Sequence, residues 1–209
     1  QRQMCIRDSV VEIVHEETNE DMMLLTGAES NDVYRSVFSI FKSRSIWLVT
    51  NLFATIVAAS VVGEFQDIIA QLSILAVLMP IVASMGGTTG QQTLAVVVRS
   101  LATKELNSRN ALRMIGKEFM VGLCNGLLFA VMIGIAVRIW FPGQEMISYI
   151  IALAMLCNLT VASLAGILIP LTINRLKIDP AIASGVFLIA CTDSGGYFIF
   201  LGLAKLLLF

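Results

Sequence analysis

Charge is scarce in this sequence. Asp, Glu, Lys and Arg make up 14% of its 209 residues, where a soluble domain carries about 25%. Beyond Arg44 whole windows hold no charged side chain, which argues against a soluble domain. There is one histidine, His15, and it lies outside those windows, so a histidine-based metal centre is not expected. The four cysteines, Cys5, Cys124, Cys157 and Cys191, lack C-x-x-C spacing, and three of them fall in apolar stretches. They read as small apolar residues, neither a disulfide framework nor zinc ligands. A net charge of −1 offers no basic field, so no nucleic-acid partner is expected. No P-loop, HExxH or GxSxG string occurs, which leaves ATP hydrolysis, zinc proteolysis and serine hydrolysis without support. Asp193-Ser194-Gly195 matches the short aspartic-protease string, but three residues match by chance and the setting is a long apolar run. No enzyme and no organic cofactor are expected.

What the sequence has in plenty is apolar length. Hydrophobic residues make up 57% of the chain, and mean hydropathy is +0.84. Uncharged windows of ~18 residues or more read as membrane spans. The first runs from about Ser45 to Gly63, too far from the start for a cleavable signal peptide. The second, 68–98, has 31 residues, or ~46 Å as a straight helix. That exceeds the ~30 Å hydrocarbon core. It also contains Pro80, Gly86, Gly87 and Gly90, so a broken or kinked second helix is expected. The third span covers about 119–137, the fourth 146–173 and the fifth 180–204. The expected fold is an all-α integral membrane protein with five transmembrane helices, residues 44–209 forming the membrane domain.

Ahead of it, residues 10–43 are polar and acidic, with Val10–Val14 alternating like a strand end. From about Asn31, Val33, Val37, Ile40 and Phe41 recur at helical spacing, which suggests an amphipathic helix leading into the bilayer. Residues 1–9 fit neither pattern and are set aside as non-native. Lys42, Arg44, Arg99, Lys104, Arg109, Arg113, Lys117, Arg175 and Lys177 fall on one side, against Arg138 and Lys205 on the other. That asymmetry places the N-terminus in the cytoplasm and the C-terminus outside. In the third span Gly122, Gly126, Ala130 and Gly134 recur every four residues. Such a stripe lets helices approach closely, within one chain or across a dimer.

One charge lies deep in the apolar sequence. Asp193 stands about midway between Pro180 and Lys205, where a carboxylate costs roughly 2.5–3.5 kcal/mol on insertion scales. It either binds an ion or is protonated and bonded to a polar neighbour such as Asn125, Asn158 or Thr160. One carboxylate per chain cannot cage a bare cation. Mg²⁺ keeps several waters and is held by one or two carboxylates, and a two-fold dimer would supply two. Copper or zinc would prefer Cys or His, and only Cys191 is near in sequence. The polar segment from Ser84 to Thr93, if irregular at membrane depth, must line protein or a water-filled cavity. The lining candidates are therefore Gly86, Gly87, Thr88, Gly90, Gln92 and Thr192, with Asp193 as the metal-binding residue.

Two of these stretches resemble the membrane domain of the MgtE family of magnesium transporters. Pro80, then Gly86-Gly87-Thr88-Thr89-Gly90-Gln91-Gln92, is similar to the family's Pro and Gly-Gly-Asn-x-Gly-x-Gln signature, with Thr88 where Asn is usual. Arg99-Ser-Leu-Ala-Thr103 fits the end of that span, and 179–193, from Asp179-Pro180 to Thr192-Asp193, resembles the helix with the pore aspartate. The resemblance covers about residues 35–209. It implies a homodimer in the plasma membrane with a central pore, in which hydrated Mg²⁺ meets Asp193. It implies Mg²⁺ as transported substrate and as regulator. Residues 10–21 resemble the tail of a regulatory CBS module, and the following helix the connecting helix that closes the pore. The alternative is a coupled carrier for another cation such as Mn²⁺, Co²⁺ or Na⁺.

Overall fold

The computed structural model describes residues 35–106 and 110–208, together with Met23 and Leu25. The expected strand end at Val10–Val14, the acidic run and the first turn of the amphipathic helix at Asn31 and Val33 lie outside the described residues. In hydrocarbon every backbone N–H and C=O must be paired within its own segment, so uncharged runs of this length become helices. Six are defined among the described residues from Arg35 onward: α1 (Val37–Gly63), the short α2 (Gln66–Gln71), α3 (Ile74–Ala102), α4 (Ala111–Trp140), α5 (Glu145–Arg175) and α6 (Pro180–Leu208). Five of them are long and apolar enough to cross a membrane. At 27 to 31 residues they measure ~40–46 Å, which matches the hydrocarbon core plus both headgroup layers.

The expected break in the second span is corrected. Helix α3 runs uninterrupted from Ile74 to Ala102, through Pro80 and the whole glycine-rich segment. The chain breaks earlier, at Leu72 and Ser73, between α2 and α3. The excess length of the 68–98 window is thus taken up by a separate short helix between α1 and α3. Likewise, the expected connecting helix and first span are one continuous element from Val37 onward.

Turns follow local chemistry. Phe141, Pro142, Gly143 and Gln144 link α4 to α5, and Gly143 takes φ +92°, a conformation costly for a residue with a β-carbon. Beyond α5 the Ile178 amide donates to the Ile173 carbonyl and the Lys177 amide to that of Asn174. This is the bonding of a helix-terminating left-handed cap. Lys177, at φ 59°, occupies the position glycine usually takes.

Helix α5 is the hub, packed against α3, α4 and α6. Its Ile147, Ile151, Met155, Leu159 and Ile167 are enclosed. Lipid is as apolar as a leucine side chain, so close packing and interhelical hydrogen bonds hold such helices together. The small-residue stripe of α4 serves this packing within the chain. A β-carbon on Gly122 would lie 2.8 Å from that of Ser163, and one on Gly126 would lie 2.9 Å from the Leu156 carbonyl oxygen. The Ser148 hydroxyl donates to the Gly134 carbonyl at 2.6 Å. Because α5 already covers it, this stripe is not free for a dimer contact. Helix α1, by contrast, packs chiefly on α6 and leaves Leu48, Phe53 and Val57 exposed.

Candidate functional site

Asp193 lies on α6, thirteen residues after Pro180 and fifteen before Leu208. Among the described residues it is the one charged side chain near the middle of a span. It is half-buried, and no described residue gives it a hydrogen bond or an ion pair. The sequence offered Asn125, Asn158 and Thr160 as hydrogen-bond partners, but none of them bonds Asp193, and the last two are engaged elsewhere. The Asn158 amide nitrogen donates to the Val82 carbonyl at 2.7 Å, and Thr160 donates to the carbonyl of Leu156. Tyr197, one helical turn beyond Asp193, is also half-buried. No cluster of three His, Cys, Asp or Glu that could hold a metal ion occurs among the described residues.

The six lining candidates divide into two groups. Gly86, Gly90 and Thr192 are buried in seams between helices. A β-carbon on Gly90 would lie 3.1 Å from Leu188 Cδ1 and 3.2 Å from Thr192 Cγ2. The Thr192 hydroxyl is spent on its own helix, donating to the Leu188 carbonyl at 2.9 Å. Gly87 stands at the edge of the seam, with the Thr192 oxygen 4.0 Å from its β-position. Thr88 and Gln92 are exposed, and so are Ser84 and Gln91. Residues three, four and seven apart share a helix face, so Ser84, Thr88, Gln91 and Gln92 form one outward polar stripe beside the α3–α6 seam. The sequence placed Gly86 and Gly90 at a break facing water. In the fold Gly86 packs against Asn158 of α5 and Gly90 against Leu188 and Thr192 of α6, and side chains on the neighbouring face carry the polarity.

Glu118 was missed at the sequence level. It stands about two turns into α4 and accepts a hydrogen bond from the Thr93 hydroxyl at 2.9 Å. Thr93 is 5% exposed, and its β-carbon lies 2.8 Å from the β-position of Gly166 on α5. The bond therefore ties α4 to α3 where α3 crosses α5. The available signal was a carboxylate inside the helical register just before an apolar window. Arg113, Lys117, Glu105 and Glu118 line a cleft of about 340 Å³ at this end of the bundle.

Comparison with known proteins gives the family. The family model MgtE, described as a divalent cation transporter, matches residues 79–203, which takes in the α3 stripe and Asp193. The magnesium transporter MgtE of Enterococcus faecalis is 33% identical over 199 residues, 95% of this chain and 44% of that protein. Its Bacillus subtilis namesake is 31% identical over 198 residues, 94% of this chain and 44% of the relative. The Thermus thermophilus protein is 28% identical over 205 residues, 96% and 45% respectively. The chain thus spans less than half the length of these curated relatives. With five membrane-length helices and a family match over 79–203, it is a multi-pass membrane protein that belongs to the MgtE family of divalent cation transporters.

Proposed function

We propose that this chain conducts Mg²⁺ into the cytoplasm through a pore formed by two copies, with Asp193 of each copy meeting the hydrated ion. The observation that carries the reading is Asp193 itself: a carboxylate in mid-span, half-exposed, without a described partner, on the helix packed against α3 with its outward stripe Ser84, Thr88, Gln91 and Gln92. Left against lipid, that face would be costly. A second copy around a water-filled path removes the cost for both. Lone carboxylates and hydroxyls suit Mg²⁺, which dehydrates reluctantly and is held through its waters. Two facing carboxylates repel, which favours a divalent cation between them. A membrane potential supplies ~4.6 kcal/mol per 100 mV to an inward divalent ion, enough for passive uptake. The names of the three relatives support Mg²⁺ as the substrate.

The plasma membrane, with the N-terminus in the cytoplasm, remains the proposed placement, on the basic residues of the α1 start and of the α3–α4 and α5–α6 connections. Leu25 packs at that end against Leu94, Val98, Ala181 and Leu188, and its carbonyl oxygen lies 2.8 Å from the β-position of Gly185. In the same proposal residues 10–43 are a CBS tail and connecting segment that closes the path, with Mg²⁺ as regulator. The rival reading is coupled carriage of Mn²⁺, Co²⁺ or Na⁺.

The test is Mg²⁺ uptake into proteoliposomes with a dye inside. Asp193→Asn should lower uptake about a hundredfold, the factor that ~3 kcal/mol of charge-assisted hydrogen bonding implies. Equal uptake by both chains, with the variant folded, refutes Asp193 as the ion site. Saturable uptake of Mn²⁺, Co²⁺ or Na⁺ without Mg²⁺ uptake favours the carrier.

A further inference from the structure

An amide sits where three membrane helices meet. Asn158 of α5 is 1% exposed. A β-carbon on Gly86 of α3 would lie 2.5 Å from its Nδ2 and 3.0 Å from its Oδ1. On the other side, a β-carbon on Gly196 of α6 would lie 3.2 Å from Oδ1 and 3.4 Å from Nδ2. The amide also donates to the Val82 carbonyl on α3. It therefore fills the space that two missing β-carbons leave, and it is fixed to one of the two helices it separates.

This junction lies close to Asp193. Gly196 follows Asp193 by three residues, ~4.5 Å of helix rise. Gly86 adjoins Gly87, whose β-position is 4.0 Å from Thr192, the neighbour of Asp193. The ion-facing groups of the proposed pore sit on the two helices that Asn158 touches: Asp193 on α6 and the polar stripe on α3. Close-packed interiors transmit a change of one side chain into a shift of its neighbours. We infer that Asn158 is a positioning residue, which sets the separation of α3 and α6 at Asp193 and thereby the size of hydrated ion the path accepts. The inference rests on the transport reading above.

Size selection has a physical handle, because Ca²⁺–oxygen distances of about 2.3–2.6 Å exceed the 2.0–2.1 Å of Mg²⁺. In Asn158→Leu the methyl groups are bulkier than the amide and lack its donor, so α3 and α6 move apart. In Asn158→Ala the space empties and they close. Gly86→Ala drives a β-carbon into the amide and should act like Asn158→Leu, and combining it with Asn158→Ala should relieve the clash. The Val82 carbonyl keeps its own helical partner, but the overpacked seam should lower the melting temperature of Asn158→Leu below that of the parent.

The experiment measures Mg²⁺ and Ca²⁺ uptake separately in proteoliposomes of the parent chain, the three single variants and the Gly86→Ala/Asn158→Ala double variant, alongside their melting temperatures. The expected result is a Ca²⁺ to Mg²⁺ uptake ratio raised about fivefold by Asn158→Leu and Gly86→Ala, lowered by Asn158→Ala, and returned towards the parent in the double variant. A merely structural role would lower both fluxes together and leave the ratio alone. Parent uptake that is normal, with ratios unchanged in every variant, overturns the inference and leaves the transport reading standing. A parent chain that takes up neither ion overturns both. Where Asn158→Leu fails to fold, Gly86→Ala and the double variant decide the question alone.

Discussion

Two helices of this protein carry glycines at close-packing intervals, and they use them differently. In α4, Gly122, Gly126 and Gly134 all press against α5, while the opposite face, with Leu127, Leu128, Val131 and Ile135, is apolar and exposed. In α3, Gly86 and Gly90 press against α5 and α6, but the outward face carries Ser84, Thr88, Gln91 and Gln92. Small residues bring a helix close to its neighbours in both cases. Only the chemistry of the far face separates a packing helix from one that borders a polar path. A glycine motif in a membrane span is thus ambiguous until the side chains opposite it are known.

Substitutions on the two helices can break or sharpen that contrast. The largest effect belongs to α4. Gly122→Val would push a branched side chain into Ser163 and the backbone at Thr160, so thermal melts should show a loss of about 3 kcal/mol. The folded fraction should still transport at the parent rate. Gly90→Ala on α3 meets only side-chain ends of Leu188 and Thr192 and should cost under about 1 kcal/mol. If it proves as damaging as Gly122→Val, the two seams are equally rigid and the contrast is lost.

On the outward face of α3, Thr88→Val keeps the shape and removes a hydroxyl that also donates to the Ser84 carbonyl. Mg²⁺ uptake should fall about tenfold, with melting unchanged, if that face contacts the ion's waters at ~1.4 kcal/mol. Unaltered uptake would make the stripe incidental. Glu118→Gln leaves an acceptor for Thr93 but removes its charge, and should lower stability by about 1 kcal/mol in a melt. The smallest effect is at the end of α5. Lys177→Gly relieves a left-handed backbone position and should raise stability by about 0.5–1 kcal/mol. Loss of stability there would mean that Lys177 holds the turn through its side chain.

Much of the fold was legible because a bilayer leaves few choices. Windows without charge at 119–137 and 146–173 became α4 and α5, α4 starting eight residues earlier and ending three later, α5 starting one earlier and ending two later. Asp193 stood out for the same reason: a carboxylate amid apolar residues is visible without a structure. What the sequence misplaced was the meaning of Gly86 and Gly90. A run of glycines after a proline reads as a break when helix propensity is the only guide. In hydrocarbon, an unpaired backbone is so costly that the helix continues, and the missing β-carbons are used by Asn158, Leu188 and Thr192. Asn158 itself looked like a partner for Asp193 and turned out to be a spacer bonded to Val82.

The sequence by itself determined the number of spans, the apolar middle of each, the family pattern and the place of Asp193 in mid-span. Each of these depends on local hydrophobicity and length measured against a bilayer of fixed thickness. Only the tertiary structure decided which face of α3 is packed and which is open, that the α4 stripe is covered by α5, and that Glu118 and Asn158 each join helices. These depend on the rotation of one helix about its axis relative to another. In a bilayer no hydrophobic gradient sets that rotation from within a single helix, so it is fixed by pairs of side chains far apart in the chain.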